Sequence, residues 1–163
     1  MKLSRNRLLA LVIAVIVAAD WMTKAAVQQR LPLRDRHTIV DGWLSFQHNI
    51  NTGIAWGWFR DLPSLVRMPL LALLTLVGIG ATISIMRQTK DRWIHAAGAL
   101  VLGGAVGNLG DRLMDGGVTD FIYVHFFPYI FNVADIAITI GGVLLVLRMV
   151  FDRPGDEPAP THA

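Results

Sequence analysis

Four long apolar runs constrain this chain more than any other feature. Crossing a hydrocarbon core of about 30 Å takes roughly 20 helical residues. Runs of that order lie at residues 8–27, 68–86, 93–109 and 133–150, and the second carries no charge. Lipid offers no partner to a free backbone N–H or C=O, so each run is expected to satisfy its own backbone as a helix. With 53% hydrophobic and 17% charged residues, the composition is that of a membrane protein, not a soluble core. The expected fold class is therefore an all-α membrane protein with four transmembrane helices, a single membrane-embedded domain over residues 1–153. Residues 154–163 are polar and Pro-rich and read as a disordered cytoplasmic tail. In the third run Gly98, Gly103, Gly104 and Gly107 permit close helix packing.

Charge sets the orientation. The formal net charge is +3, and the basic residues flank the apolar runs instead of forming a basic face, which argues against a nucleic-acid partner. Lys2, Arg5 and Arg7 precede the first run, Arg87, Lys90 and Arg92 separate the second from the third, and Arg148 and Arg153 close the fourth. By the positive-inside rule both termini are cytoplasmic, against the pull of Arg30, Arg34, Arg36, Arg60 and Arg67 in the first loop. That loop and the loop around Asp120 then share the outer side. A competing reading of the start is a removable secretory signal cut after Ala19, but apolarity resumes at Ala25, Ala26 and Val27 and completes a full span. The chain has no cysteine, which excludes disulfides, thiolate nucleophiles and Cys-ligated metals.

The first loop has its own order. In His37 to His48, Trp43, Ser45 and Gln47 alternate with Leu44, Phe46 and His48, with a turn signal at Asp41 and Gly42, so a small extracytoplasmic strand pair is expected. Trp43, Trp56, Trp58 and Phe59 fit an aromatic belt at headgroup level.

The polar residues in or beside the spans carry the chemistry. Ionised groups near a bilayer are costly unless paired, hydrated or used, which makes Asp120 and Asp135 functional candidates. Asp135 stands three residues after Asn132, the spacing of an N3 acid and its N-cap, where the positive helix end favours the carboxylate. A second carboxyl placed against it is pushed toward the neutral acid. Such a pair divides labour: the charged member takes a proton from attacking water while the protonated member polarises a carbonyl. Asp120 fits as the partner if the chain folds back, and Pro128 favours a bend. Asp20 and Lys24, four apart, can neutralise each other on one helix face. Asn51 lies two residues before Gly53 and reads either as a turn residue or as a carboxamide donor to a substrate. Asn108, Asp111 and Arg112 mark the outer end of the third span, with Asp111 and Arg112 read as a local clamp.

Five blocks in order, Asp20-Trp21-Met22-Thr23-Lys24, Asn51-Thr52-Gly53-Ile54-Ala55-Trp56, Gly107-Asn108-Leu109-Gly110-Asp111-Arg112, Val118-Thr119-Asp120-Phe121 and Phe131-Asn132-Val133-Ala134-Asp135, resemble the signatures of the bacterial type II (lipoprotein) signal peptidases. The resemblance spans nearly the whole chain apart from the tail. It implies a membrane aspartic endopeptidase of the bacterial inner membrane that removes the signal peptide from diacylglyceryl-modified prolipoproteins near the periplasmic face; no cofactor or metal is expected, and a monomer is expected although the sequence does not fix the oligomeric state. It implies Asp120 and Asp135 as the catalytic pair, with Asp20, Lys24, Asn51, Gly53, Asn108, Arg112 and Asn132 lining or bracing the site and Asp111 structural. It also implies a small extracytoplasmic β cradle and a short periplasmic helix beside the four spans. Trp21 stands where Gln is usual, Trp56 and Gly57 replace a Phe-Ser pair, and Ile136 follows the second acid where Ser is frequent.

Other readings stay open on the residues alone. A small proton-coupled four-helix transporter would use a membrane carboxylate as its relay, although transport sites lie near the bilayer midplane. A non-catalytic assembly factor would use the Gly-rich third span as a packing face. A Ser-Lys peptidase has only Ser45 and Ser64 to offer outside the spans, cytoplasmic segments and tail, and no H-E-x-x-H pattern is present to hold a metal.

Overall fold

The computed structural model describes residues 4–53, 58–59 and 61–151. The four apolar runs form α1 (Arg5–Arg30), α2 (Ser64–Arg87), α3 (Arg92–Asp115) and α4 (Val133–Phe151), each long and apolar enough to cross a membrane. Between α1 and α2 lie β1 (Arg36–Val40) and β2 (Leu44–Asn51); between α3 and α4 lie β3 (Val118–Val124) and β4 (Ile130–Phe131). A short connection joins α2 to α3, so all four strands gather at the opposite end of the bundle.

α3 is the central helix. It packs against α1, α2 and α4 and is the most buried of the four, whereas the others leave Leu8, Val15, Leu76, Val77, Val146 and Leu147 on the outside. Such surfaces are stable where the surroundings are lipid. The glycines expected to permit close packing do so. A Cβ on Gly104 would run into the Ala134 carbonyl of α4, one on Gly103 would meet Ile16 of α1 at 2.9 Å, and one on Gly98 would meet Met86 of α2. Away from the sheet, Ile94, Ala97 and Leu145 form an apolar core with Ile85 and Val101 against it. The hydroxyls of Thr23, Thr75 and Thr82 bond back to carbonyls of their own helices at 2.7 to 2.8 Å, which removes their cost in apolar surroundings.

α3 is stapled at both ends. Asp91 Oδ1 accepts from the backbone N–H groups of Trp93 and Ile94, and its Oδ2 accepts from Arg148 Nε at 2.8 Å, tying the start of α3 to the end of α4. Gly116, at φ 71°, stops the helix in the left-handed conformation. The helix therefore runs six residues beyond the expected end at 109, because nothing in Gly110 to Asp115 breaks it.

The expected strand pair is half of a larger sheet. β1 and β2 form the hairpin across Asp41 and Gly42, Gly42 at φ 72°, but β3 and β4 add to it, giving an antiparallel sheet in the order β1-β2-β3-β4. Asp120 thus lies on a strand and not in a loop. Asn49 pairs with Asp120 and Asn51 with Val118, and a bulge between Phe46 and Asn49 shifts the register. The bulge breaks the strict alternation read from the sequence: Ser45 and His48, of opposite parity, are both buried. Pro128 lies in the bend between β3 and β4, which permits the fold-back. Outside the four long helices, no short helix occurs among the described residues. Trp56 and Gly57, within 54–57, and Arg60 lie outside them, as do Lys2, Arg153 and the tail at 154–163.

Candidate functional site

At the sheet end of the bundle, side chains from α1, β2, β3, α3 and α4 converge on two carboxyls. Asn132 and Asp135 form the anticipated reciprocal cap. The Asp135 N–H donates to Asn132 Oδ1 at 2.9 Å and the Asn132 N–H donates to Asp135 Oδ2 at 3.2 Å. With its Oδ1 committed to the cap, Asn132 has its Nδ2 left to donate, and it does so to Asp120 Oδ1 at 2.7 Å and to Asn108 Oδ1 at 3.1 Å. One fully buried amide thereby links both acids, which start fifteen residues apart.

Asn51 shows why both of its readings were compatible. Its Oδ1 accepts from the Gly53 N–H at 3.0 Å, an Asx turn, and its Nδ2 donates to Asp120 Oδ2 at 2.9 Å. The turn orients the amide so that its donor faces the acid. Gly53 is not among the positive-φ glycines, so the turn rests on this bond instead of on glycine's conformational freedom.

Behind the acids sits an ionic group. Lys24 Nζ lies 2.6 Å from Asp20 Oδ2, 2.9 Å from Asp111 Oδ2 and 3.1 Å from Asn108 Oδ1. Asn108 in turn donates from Nδ2 to Asp135 Oδ1 at 2.8 Å. Asp20 Oδ1 accepts from the Ala134 N–H at 2.9 Å, which fixes the first turn of α4 against α1. Asp111 does not clamp Arg112; its partners are Lys24 and the Thr119 N–H at 3.2 Å. Arg112 instead reaches the carbonyls of Asn108 and Gly53, at 3.3 and 3.5 Å, and its Nε is buried with no partner among the described residues.

Three contributions to the site escaped the sequence reading, which had Gly107 only as a packing glycine and Trp21 only as a departure from the usual Gln. Gly107 leaves room for Asp20, since a Cβ there would stand 2.6 Å from Asp20 Oδ2. Trp21 lies over Gly110 and donates from Nε1 to the Gly107 carbonyl at 3.4 Å, so it packs where Gln is usual. Gln28 donates to the Thr119 hydroxyl at 2.8 Å and joins α1 to β3. The Gly107–Gly110 spacing, i and i+3 on α3, was the available signal for the first two. Ile136, where Ser is frequent, costs Asp135 nothing visible, because both its carboxyl oxygens already accept hydrogen bonds.

The two acids differ in surroundings. Asp120 is 2% exposed, while Asp135 is partly open. Burial pushes the Asp120 carboxyl up to about 7, the negative charge of Asp135 adds to the rise, and the amides of Asn51 and Asn132 hold it back. Among the described residues, the cations acting on Asp20, Asp111, Asp120 and Asp135 are Lys24 and Arg112, which leaves negative charge in excess there. Among the described residues no group of three or more His, Asp or Glu side chains is arranged to hold a metal.

Fold and site together define a polytopic membrane protein whose paired carboxyls are held at one end of a four-helix bundle. A family model described as Signal peptidase (SPase) II matches residues 12–151. Among similar curated proteins is the lipoprotein signal peptidase of Aquifex aeolicus, 36% identical over 156 residues, covering 93% of this chain and 92% of that one. The enzyme of the same name from Pseudomonas aeruginosa is 37% identical over 152 residues, 89% of each chain. A solved bacterial membrane enzyme, determined in meso at 2.3 Å, superposes with a TM-score of 0.81 at 26% identity over 94% of both chains. The chain belongs to the signal peptidase II family, and is thus a multi-pass bacterial membrane protein and a peptidase.

Proposed function

We propose that this protein removes the signal peptide from diacylglyceryl-modified prolipoproteins at the periplasmic face of the inner membrane, by water attack activated by Asp135 and Asp120. The observation that carries the reading is the Asn132 bridge, which holds two carboxyls in unequal environments. Asp135, at the positive end of α4 and partly open, takes a proton from the attacking water. Asp120, buried and raised toward neutrality, transfers its proton to the scissile carbonyl oxygen as the water adds, so that the intermediate is a neutral gem-diol. As the tetrahedral intermediate collapses, Asp135 returns the proton to the departing amine, the C–N bond breaks, and Asp120 recovers its own proton. In this reading Asn51, Asn108 and Asn132 position the pair, and Asp20 with Lys24 anchors α4 and Asn108. Gly53 and Arg112 face the substrate backbone, and Asp111 is structural.

Location supports a peptidase over a proton-coupled carrier. Asp135 is in the first turn of α4 and Asp120 is on β3, both at the bundle end, whereas transport sites lie near the midplane. A lipid-modified substrate keeps its acyl chains in the bilayer and brings its scissile bond to that level, where water is present. The deciding experiment is cleavage of a lipidated prolipoprotein in detergent by Asp120→Asn and Asp135→Asn. Each variant is expected to keep its melting temperature within a few degrees and to lose cleavage. Near-normal turnover by either removes the mechanism, and proton-dependent uptake by reconstituted vesicles would favour the carrier.

A further inference from the structure

The end of the bundle away from the sheet carries a second polar feature that the peptidase reading does not use. α1 and α2 both pack on α3, and neither packs extensively on the other. Between them a groove of about 460 Å³ opens on the flank of α3. Its rim is cationic: Arg5 begins α1, Arg87 ends α2 and Lys90 lies in the short connection, all three exposed. None of them pairs with a carboxylate among the described residues. Asp91, the acid among the described residues nearest this rim in sequence, is engaged by Arg148 and by the N–H groups that it caps. Deeper in the groove the buried His95 has its Nδ1 at 2.7 Å from the Asp91 carbonyl, which leaves the other ring nitrogen for an occupant. Leu9, Ile83, Met86 and Leu102 give the groove an apolar wall, beside the polar Asn6 and Thr89.

We propose that this groove binds an anionic phospholipid, its phosphate headgroup at Arg5, Arg87 and Lys90 and one acyl chain along the apolar wall. Three cations with no counterion among the described residues, at the end of membrane-spanning helices, attract an anionic headgroup. The wall of Leu9, Ile83, Met86 and Leu102 is apolar surface that a free phosphate ion has no use for. A zwitterionic lipid would supply the same chain but cancel the charge. The groove lies at the other end of the bundle from Asp120 and Asp135, so binding there is independent of whether the peptidase mechanism is correct.

The test is native mass spectrometry of the full chain in detergent, titrated with phosphatidylglycerol, with phosphatidylcholine of the same chains and with water-soluble glycerol phosphate. Phosphatidylglycerol is expected to bind at least tenfold more tightly than phosphatidylcholine. In Arg5→Gln/Arg87→Gln/Lys90→Gln its affinity is expected to fall by roughly 100-fold, on the scale of about fivefold per cation. Arg30→Gln/Arg34→Gln, a similar change at the opposite end, should leave it unaltered. Should the triple variant fail to fold, Leu102→Trp, which fills the groove without touching the charges, is expected to abolish the preference. Equal binding of the two lipids, undiminished binding by the folded triple variant or by Leu102→Trp, or an equal loss in the control pair would each overturn the proposal. Glycerol phosphate binding as tightly as the lipid would do so too, by making the site one for free anions.

Discussion

At the scale of single residues, the site depends on amides that use both ends. Asn132 gives its oxygen to the cap of α4 and its nitrogen to Asp120. Asn132→Ser keeps a capping oxygen but deletes the amide donor. Loss of one positioning donor costs on the order of 100-fold in kcat, and we expect that fall with a much smaller change in KM, read by steady-state cleavage. The same substitution has a pH signature. In the proposed mechanism Asp120, raised to about 7 by burial and then by Asp135, is the acid, so kcat/KM should fall as pH rises through about 7 and the acid is lost. Asn132 stabilises the charged form of Asp120, so its removal raises the carboxyl further, and the alkaline limb of the Asn132→Ser profile should move to higher pH. A shift the other way, or none, would mean that the limb reports another group. The candidate acids were legible in the sequence because charge at a membrane boundary demands a use. The Asn51 turn was legible only as an alternative, since spacing cannot tell where the second half of an amide points. The partners of Asp111 were not legible at all: Lys24 lies 87 positions earlier, and Asp111's neighbour Arg112 was the nearer suspect.

At the scale of elements, α3 shows what sequence periodicity conveys and what it omits. The long apolar runs announced four helices, since lipid leaves them no alternative. Their ends were less clear, because Asn108, Asp111 and Arg112 resemble an interface in composition while remaining helical in conformation. β3 was missed for a related reason. Val118-Thr119-Asp120-Phe121-Ile122-Tyr123-Val124 is rich in β-branched and aromatic residues after a Gly-Gly pair, a strand signal, but the acid within it drew the reading toward a loop. The glycines of α3 divide by what faces them. Gly104→Ala would press a methyl on the α4 backbone, a change that costs about 1–3 kcal/mol where neither side can yield. Gly80→Ala in α2 meets nothing within 4 Å, and should be neutral or stabilise by up to about 1 kcal/mol. Thermal melts in one detergent would distinguish the two; equal effects would mean that α3 and α4 are not in tight contact.

On the scale of the whole molecule, two loops far apart in sequence meet in one sheet, and an ionic group joins α1 to α3. Lys24 faces two buried acids, so Lys24→Met leaves Asp20 and Asp111 without their cation and should cost about 3–5 kcal/mol, measured as a fall in melting temperature. Orientation is open to an equally direct check. The chain has no cysteine, so a single introduced thiol has no background. Ile39→Cys on exposed β1 should react with an impermeant maleimide in intact spheroplasts, and Gln88→Cys between α2 and α3 only after permeabilisation. The reverse pattern would invert the topology and move the acids to the inner face.

The order in which the chain is made gives the cross-sheet and cross-helix bonds a further meaning. Asp20 and Lys24 leave the ribosome first and can enter lipid as a neutral couple, but Asp111 joins them only with α3, and Asp135 arrives with the last helix of all. A nascent or truncated polypeptide that stops before residue 132 therefore lacks half of the acid pair and the amide that bridges it. On the proposed mechanism, proteolytic capacity is withheld until the fourth helix is in place.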